Sequence, residues 1–295
     1  MNFKSFILSL ALALVSAMGF AQANILNAQQ PEDIGQKTLE ELEYDHDEPL
    51  EYGYVNDRDI MWAKKTWEVV DLDERINFPL YYPVDTMNIG KDRRSLYDVL
   101  MKAASNGEIK TYRDSYFTEE VALKDLEGAT KLRDTLEVGY DQYNADGYVD
   151  PEYIIEREIS AFDVAAYEMM GMWYFDKKQG ELRYRLLGIA PRVPDVNFLD
   201  EEEQETFPLF WVWFPEARDI LHDAKVFNTK NSAHPITFDH LLNSRRFNGI
   251  VYKTDNVQGD RRIDEYIADN AMMQLLESER LKEQIRNFEL DMWQY

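Results

Sequence analysis

The chain has 295 residues, of which 45% are apolar and 13% aromatic, enough to bury a sizeable core in one large domain or two small ones. Asp and Glu number 56 against 32 Lys and Arg, a net charge of −24. So acidic a surface repels phosphate backbones and anionic lipid, which argues against nucleic-acid and peripheral-membrane binding and leaves basic proteins or divalent cations as counterparts.

Residues 1–23 read as a secretory signal peptide. Lys4 supplies the basic start, Phe6–Val15 is apolar apart from Ser9, and Ala21-Gln22-Ala23 is a small-x-small cleavage signal, placing the cut after Ala23. The apolar run is short for a membrane span, and no cysteine follows it to carry a lipid anchor. The chain has no cysteine at all, so it forgoes disulfides even in an exporting compartment. Periplasm is the simplest destination, with extracellular release the alternative.

Residues 24–55 are rich in Glu, Asp and Gln, with Pro31 and Pro49 and a single lysine. This composition predicts an acidic, mobile arm, either a solvated tail or a segment that docks on a neighbouring subunit. The core domain is expected over 56–259. Ile60, Trp62, Ala63, Trp67, Val70 and Leu72 are spaced for an amphipathic helix, and Phe78–Pro83 reads as an extended aromatic segment fenced by prolines. Ser95 is placed as an N-cap ahead of a helical stripe of Leu96, Val99 and Leu100; Asn106-Gly107 turns the chain into a strand at Ile109–Tyr112. Tyr116–Tyr140 is expected to be helical in part and Asp141–Asp150 a loop.

The hairpin at Met172–Pro191 organises the rest. Trp173-Tyr174-Phe175 has high strand propensity, Asp176–Gly180 is a polar connector ending in glycine, and Leu182, Tyr184 and Leu186 then alternate with Arg183 and Arg185. Pro191 and Pro194 are expected to stop the second strand. Further on, Asp200–Glu205 reads as an exposed acidic loop and Phe210–Phe214 as an aromatic strand closed by Pro215. Thr237, the stripe of Phe238, Leu241 and Leu242, Asn248-Gly249 and Val251 then repeat the order begun at Ser95. A duplicated strand–helix–turn–strand unit over 76–112 and 207–253 is one reading; unrelated modules of a common kind are the other. Residues 260–295 are expected to form a long amphipathic helix, docked on the domain or offered to a partner. The fold class expected is α+β, with a mixed or antiparallel sheet, packed helices and this C-terminal helix.

The residues offer little chemistry. Asn144, Asp146 and Gly147 match part of a calcium loop, but Gln142 and Tyr153 stand where that geometry wants Asp and a bidentate Glu, so a plain polar turn is the better reading. His46, His222, His234 and His240 form no metal-binding spacing, and Gly35-Gln36-Lys37-Thr38 lacks most of a P-loop. Trp211 and Trp213 fall on one face of a strand and could stack on sugars, though core packing is the commoner use. No catalytic, cofactor-binding or metal-ligating residue is assigned. A secreted carbohydrate-active or hydrolytic enzyme using Trp211, Trp213 and a carboxylate pair is the rival reading.

Four segments together resemble one family. They are Arg58–Trp62 with Trp67-Glu68 and Asn77–Pro83; the hairpin from Trp173 to Pro191; Phe210–Arg218; and the tail Tyr266–Asp269 with Glu277–Arg280. The chain is similar to the gliding-motility GldN family, called PorN in non-gliding secretors, of the type IX secretion system of Bacteroidota. The resemblance implies a periplasmic, non-enzymatic subunit of a ring beneath the outer membrane. It also implies a GldK/PorK-like lipoprotein partner and contact with the periplasmic part of a GldM/PorM-like motor protein. It carries over no catalytic residues and no cofactor.

Overall fold

The computed structural model describes residue 43 and residues 47–85, 93–198, 205–228, 236–268 and 270–292. Residues 1–48 separate as a unit of their own, of which Glu43, Asp47 and Glu48 are described; the fold below is that of Pro49–Tyr295. The expected signal peptide, the acidic loop up to Gln204, Gly35–Thr38, His46 and His234 lie outside the described residues.

In chain order the elements are β1 (Ile60–Asp71), α1 (Phe78–Tyr81), α2 (Leu96–Ser105), β2 (Thr111–Tyr112), α3 (Glu127–Thr130), β3 (Lys131–Thr135), α4 (Glu137–Asp146) and β4 (Ile154–Glu158). The hairpin strands β5 (Ala166–Asp176) and β6 (Glu181–Pro194) follow, then β7 (Thr206–Pro208), β8 (Trp211–Trp213) and α5 (Phe214–Asp223). Next come β9 (Lys225–Val226), β10 (Ile236–Thr237), α6 (Phe238–Asn243), β11 (Ile250–Thr254), α7 (Ile263–Tyr266) and α8 (Ala271–Met292). The fold is α+β, as expected.

Seven strands form the main sheet in the order β11-β1-β5-β6-β8-β2, with β7 also paired to β6, and all of its pairings are antiparallel. The β5–β6 hairpin is its spine. Gly180 takes a positive φ of 69° to close the connector, and the register runs from Asp176↔Glu181 to Ala166↔Arg192. Both faces of the centre are covered. One face presents Val70, Tyr167, Met169, Leu186, Ile189 and Val212 to the helices α2, α5 and α6, whose Leu96, Leu100, Ala217, Leu221, Phe238 and Leu241 complete the main core. The opposite face carries a smaller cluster of Trp67, Met170, Ala190 and Trp211. Ser95 and Thr237 cap α2 and α6 by accepting from Asp98 N and His240 N.

Several expectations need correction. Ile60–Asp71 is a strand, not a helix. It lies between β11 and β5 and is buried on both faces from Thr66 to Glu68, so the two-residue alternation that marks a strand is erased. Phe78–Tyr81 is a helical turn rather than an extended segment: Pro79 sits in the first turn, where its missing N–H costs nothing. Pro215 likewise opens α5 instead of merely closing a strand. The stretch 141–150 is helical as far as Asp146, with Gly147 at φ 78° capping it. β6 continues through Pro191 to Pro194, because Pro191 falls where the partner strand changes from β8 to β7. The C-terminal helix is broken between α7 and α8. The docked stripe of α8 is Ser278, Leu281 and Ile285, while Leu275 is 43% exposed. The segments 76–112 and 207–253 share a capped helix, an Asn-Gly pair and a following strand, but the first opens on a helical turn and the second contains the additional helix α5.

Candidate interaction surfaces

Four carboxylates are buried among the described residues: Asp176 accepts from Lys178 N and Gln179 N in the hairpin connector, and the other three are each held by arginine. On the main-core face, Glu68 in β1 is 1% exposed and meets Arg245 at 2.8 Å. Arg245 adopts a left-handed φ of 49°, and its guanidinium lies 4.1 Å over the Tyr184 ring and 5.0 Å from that of Trp173. Burial pushes the Tyr184 phenol well up from its ordinary value, with the Glu68 charge adding to the effect. On the opposite face, Glu168 accepts from Tyr252 Oη at 2.6 Å and faces Arg192 Nη1 at 3.4 Å. In the helical layer, Arg218 of α5 grips Asp239 of α6 through two bonds, Nε to Oδ1 at 2.8 Å and Nη2 to Oδ2 at 3.1 Å.

The third pair also holds the chain that precedes β1. Arg218 Nη2 donates to Leu50 O at 2.6 Å, and its guanidinium lies 4.1 Å over the Tyr52 ring. Arg185 lies 4.6 Å from the same ring and donates to Gly53 O at 3.0 Å. Tyr52 Oη donates to Asn243 Oδ1 at 2.7 Å, while Asn243 donates in turn to Asp239 Oδ1. Burial raises the Tyr52 phenol to about 12 against the opposing pull of Arg218. The end of the expected arm, Leu50–Gly53, is therefore a strap pinned through Tyr52. Leu50 and Tyr54, two residues to either side, are 85% and 92% exposed.

The tryptophans offered as sugar platforms are used internally. Trp211 is 3% exposed within the smaller cluster, and Trp213 meets the edge of Phe117 with centroids 4.8 Å apart. Phe117 itself sits at φ 59° with its ring against Tyr112 and over Gly188, where a Cβ would collide with it. In the fragmentary calcium loop, Asn144 and Asp146 belong to α4, and Gln142 is engaged with Asp150 on both its amide oxygen and nitrogen. Among the described residues no group of three or more His, Asp or Glu side chains converges as a metal site. A cavity of ≈ 1070 Å³ opens between α2, the end of β4 and α5. Its polar lining mixes Asp98, Glu158 and Asp223 with Arg94, Lys102 and Lys225 and contains no nucleophile–base pair of the kind acyl transfer needs.

Among the described residues, exposed apolar side chains gather in three places, besides scattered single ones such as Met61, Phe227 and Val257. The first turns of α8 expose Met272, Met273, Leu275 and Leu276, and α4 with its flanks exposes Leu136, Val138, Tyr140, Tyr143 and Tyr148. The third lies around α1, where Phe78 and Tyr82 meet edge to face, Tyr81 links to the Phe162 carbonyl, and Ile76 adds an exposed aliphatic side chain. On the other side of α8, Ser278 Oγ accepts from Val251 N at 2.9 Å and Phe288 stacks on Trp62 at 4.7 Å. The helix thus covers the exposed edge of β11. No described helix is long and apolar enough to cross a membrane. Clustered exposed apolar side chains are a feature of interaction sites, protein–protein contacts among them.

Sequence reasoning could not single out Glu68, Glu168 or Asp239 among 56 acids, since only the three-dimensional pairing sets them apart. A search of curated proteins returns no match. The family model for "Gliding motility associated protein GldN" matches residues 55–294, a span that begins just after the Tyr52 strap and takes in all of α8. The family is a structural component of the gliding-motility and type IX secretion machinery and not a known enzyme family. Over that span, the chain belongs to the GldN family of gliding-motility-associated proteins.

Proposed function

We propose that this chain is a non-enzymatic periplasmic subunit of the type IX secretion machinery. In this reading it assembles into a ring at the inner face of the outer membrane with a GldK/PorK-like lipoprotein and contacts a GldM/PorM-like motor protein. Family membership is the observation that carries the reading. The use of the buried carboxylates and of Trp211 and Trp213 in internal packing supports it. So does a described surface with separate apolar patches, because a ring of identical subunits needs two different faces on each copy. The partner lipoprotein would supply the membrane attachment.

The test is chemical cross-linking of intact cell envelope followed by capture of an affinity-tagged chain. Recovery of an outer-membrane lipoprotein and of higher-order copies of this chain is the expected result. A chain that stays alone in cross-linked envelope, in cells whose deletion mutant still secretes normally, would overturn the proposal. Deleting residues 24–48 while keeping the Tyr52 strap tests the arm separately; unchanged assembly would remove the arm from the contacts.

A further inference from the structure

We infer that the aromatic patch around α1 is a docking surface for arginine side chains of a basic segment on a partner protein. The inference rests on the reading that this chain works by binding other proteins.

The patch is built outward from two buried anchors. Leu80, at 0% exposure, plugs the single turn of α1 into the main core. Asn77, also fully buried, donates through Nδ2 to Asp71 O at 2.6 Å and to Asn248 O at 3.0 Å. With Leu80 turned inward, the remaining side chains of the turn must point out. Phe78 and Tyr82 meet edge to face at 5.5 Å, and Tyr81 meets Tyr82 at 4.8 Å. Tyr81 Oη donates to Phe162 O at 3.0 Å, tying the distant Phe162 to the same group. Phe162 is 70% exposed and Tyr82 50%, so open ring faces are presented on a backbone that is already fixed. Little ordering entropy remains to be lost on binding.

The charge beside these rings selects the occupant. Asp71, Asp73, Glu74 and Asp163 flank the patch in sequence, and among the described residues none of them is ion-paired. Glu74 accepts from Asn248 Nδ2, and Asp163 accepts from Ser160 at the start of its own helical turn. Arg75 is the lone cation of the stretch 71–85. Burial raises the Tyr81 phenol, with Tyr82, Asp163 and Asp73 adding to the rise. The two carboxylates therefore act on the patch itself. Open π faces beside unneutralised carboxylates fit a guanidinium, which can stack on a ring and present its fork to a carboxylate together. A purely apolar partner would leave those carboxylates desolvated and unpaired.

The test titrates residues 24–295 with the peptide acetyl-Gly-Arg-Gly-Arg-Gly-amide and with its citrulline counterpart, which keeps the shape and loses the charge. Binding is read by calorimetry and by amide-resolved NMR. Saturable binding of the arginine peptide alone, with shifts confined to residues 71–85 and 158–164, is expected. The pair Tyr82→Ala with Phe162→Ala and the pair Asp73→Asn with Asp163→Asn should each weaken it about fivefold or more. Tyr140→Ala with Tyr143→Ala, equally exposed aromatics on α4, should leave it unchanged. Thermal melts confirm that each variant is folded, since Leu80 and Asn77 are untouched. Absence of saturable binding, equal binding of the citrulline peptide, or equal weakening by the α4 pair would overturn the inference. Envelope capture reads the proposed function and peptide binding reads this surface, so the two fail separately.

Discussion

Glu68 of β1 and Arg245, which are 177 residues apart in the chain, meet at 2.8 Å on the main-core face of the sheet. The pair ties the central strand to the end of the α6 layer, and Arg245 is stacked on Tyr184 of the hairpin as well. Truncating one partner strands the other as a buried charge, the costly way to break such a pair. Arg245→Ala is therefore expected to cost about 3 kcal/mol of unfolding free energy. The double change Glu68→Gln with Arg245→Ala should cost less than the sum of the singles. Urea denaturation of the full cycle measures this; a coupling below about 0.5 kcal/mol would show that the two side chains act independently.

The Tyr52 strap predicts a specific alkaline weakness. Its phenol is raised to about 12 in the folded chain, against about 10 when unfolded. The folded state thus holds the Tyr52 proton more tightly. The stability this contributes is complete below pH 10 and is lost as pH climbs through 12. In NMR of tyrosine ring carbons, Tyr52 and Tyr116 should both titrate near pH 12, and the resonance that vanishes in Tyr52→Phe identifies the strap. Tyr52→Phe should also lose stability at neutral pH by about 1 kcal/mol, through the missing bond to Asn243, and lose less than wild type between pH 10 and 12.

Two glycines should respond oppositely to alanine. Gly171 lies in β5 directly under the Tyr184 ring, and an added Cβ would overlap that ring. The ring is itself pinned by Arg245, so it cannot step aside, and Gly171→Ala is expected to cost about 2 kcal/mol or more. Gly53, in the strap, has open space around it and no positive φ. Gly53→Ala should be neutral or stabilising by about 0.5 kcal/mol, through a less disordered unfolded chain. Melting temperatures of the two variants on either side of wild type would bear this out; equal losses would contradict it.

The same neighbourhood shows what was legible in the sequence. The hairpin could be read because its second strand emerges into solvent at Leu182–Arg185, where one face is wet and alternation survives. β1 could not, because neighbours on both edges and both faces replace the two-residue pattern with one that mimics a helix. Proline misled twice for one reason: Pro79 and Pro215 look like barriers, whereas at a helix start the missing N–H has no role to lose. Of the candidate surfaces, α8 was visible as an amphipathic run, but its docked stripe was not. Ser278, a polar residue, is fully buried there because the β11 edge offers it Val251 N–H. The aromatic patch was visible as composition alone, since its parts join only through the Tyr81–Phe162 bond.

The two sides of α8 should separate stability from assembly. Leu281 and Ile285 are each 4% exposed and lie in or beside the cluster formed with Val251 and Ile263. Leu281→Ala and Ile285→Ala are expected to destabilise by about 2–3 kcal/mol each. Ser278→Ala should cost about 1–2 kcal/mol by leaving Val251 N–H buried without an acceptor. On the opposite side, Met272 is 66% exposed and Leu276 56%, so Met272→Ser with Leu276→Ser should change unfolding by less than about 0.5 kcal/mol. If that side faces a neighbour in the proposed ring, the serine pair should instead reduce the copies recovered together from cross-linked envelope. Serine variants that melt like wild type and assemble like wild type would show the exposed turns to be idle surface. Assembly lost at unchanged stability would place a subunit contact on the first two turns of the helix.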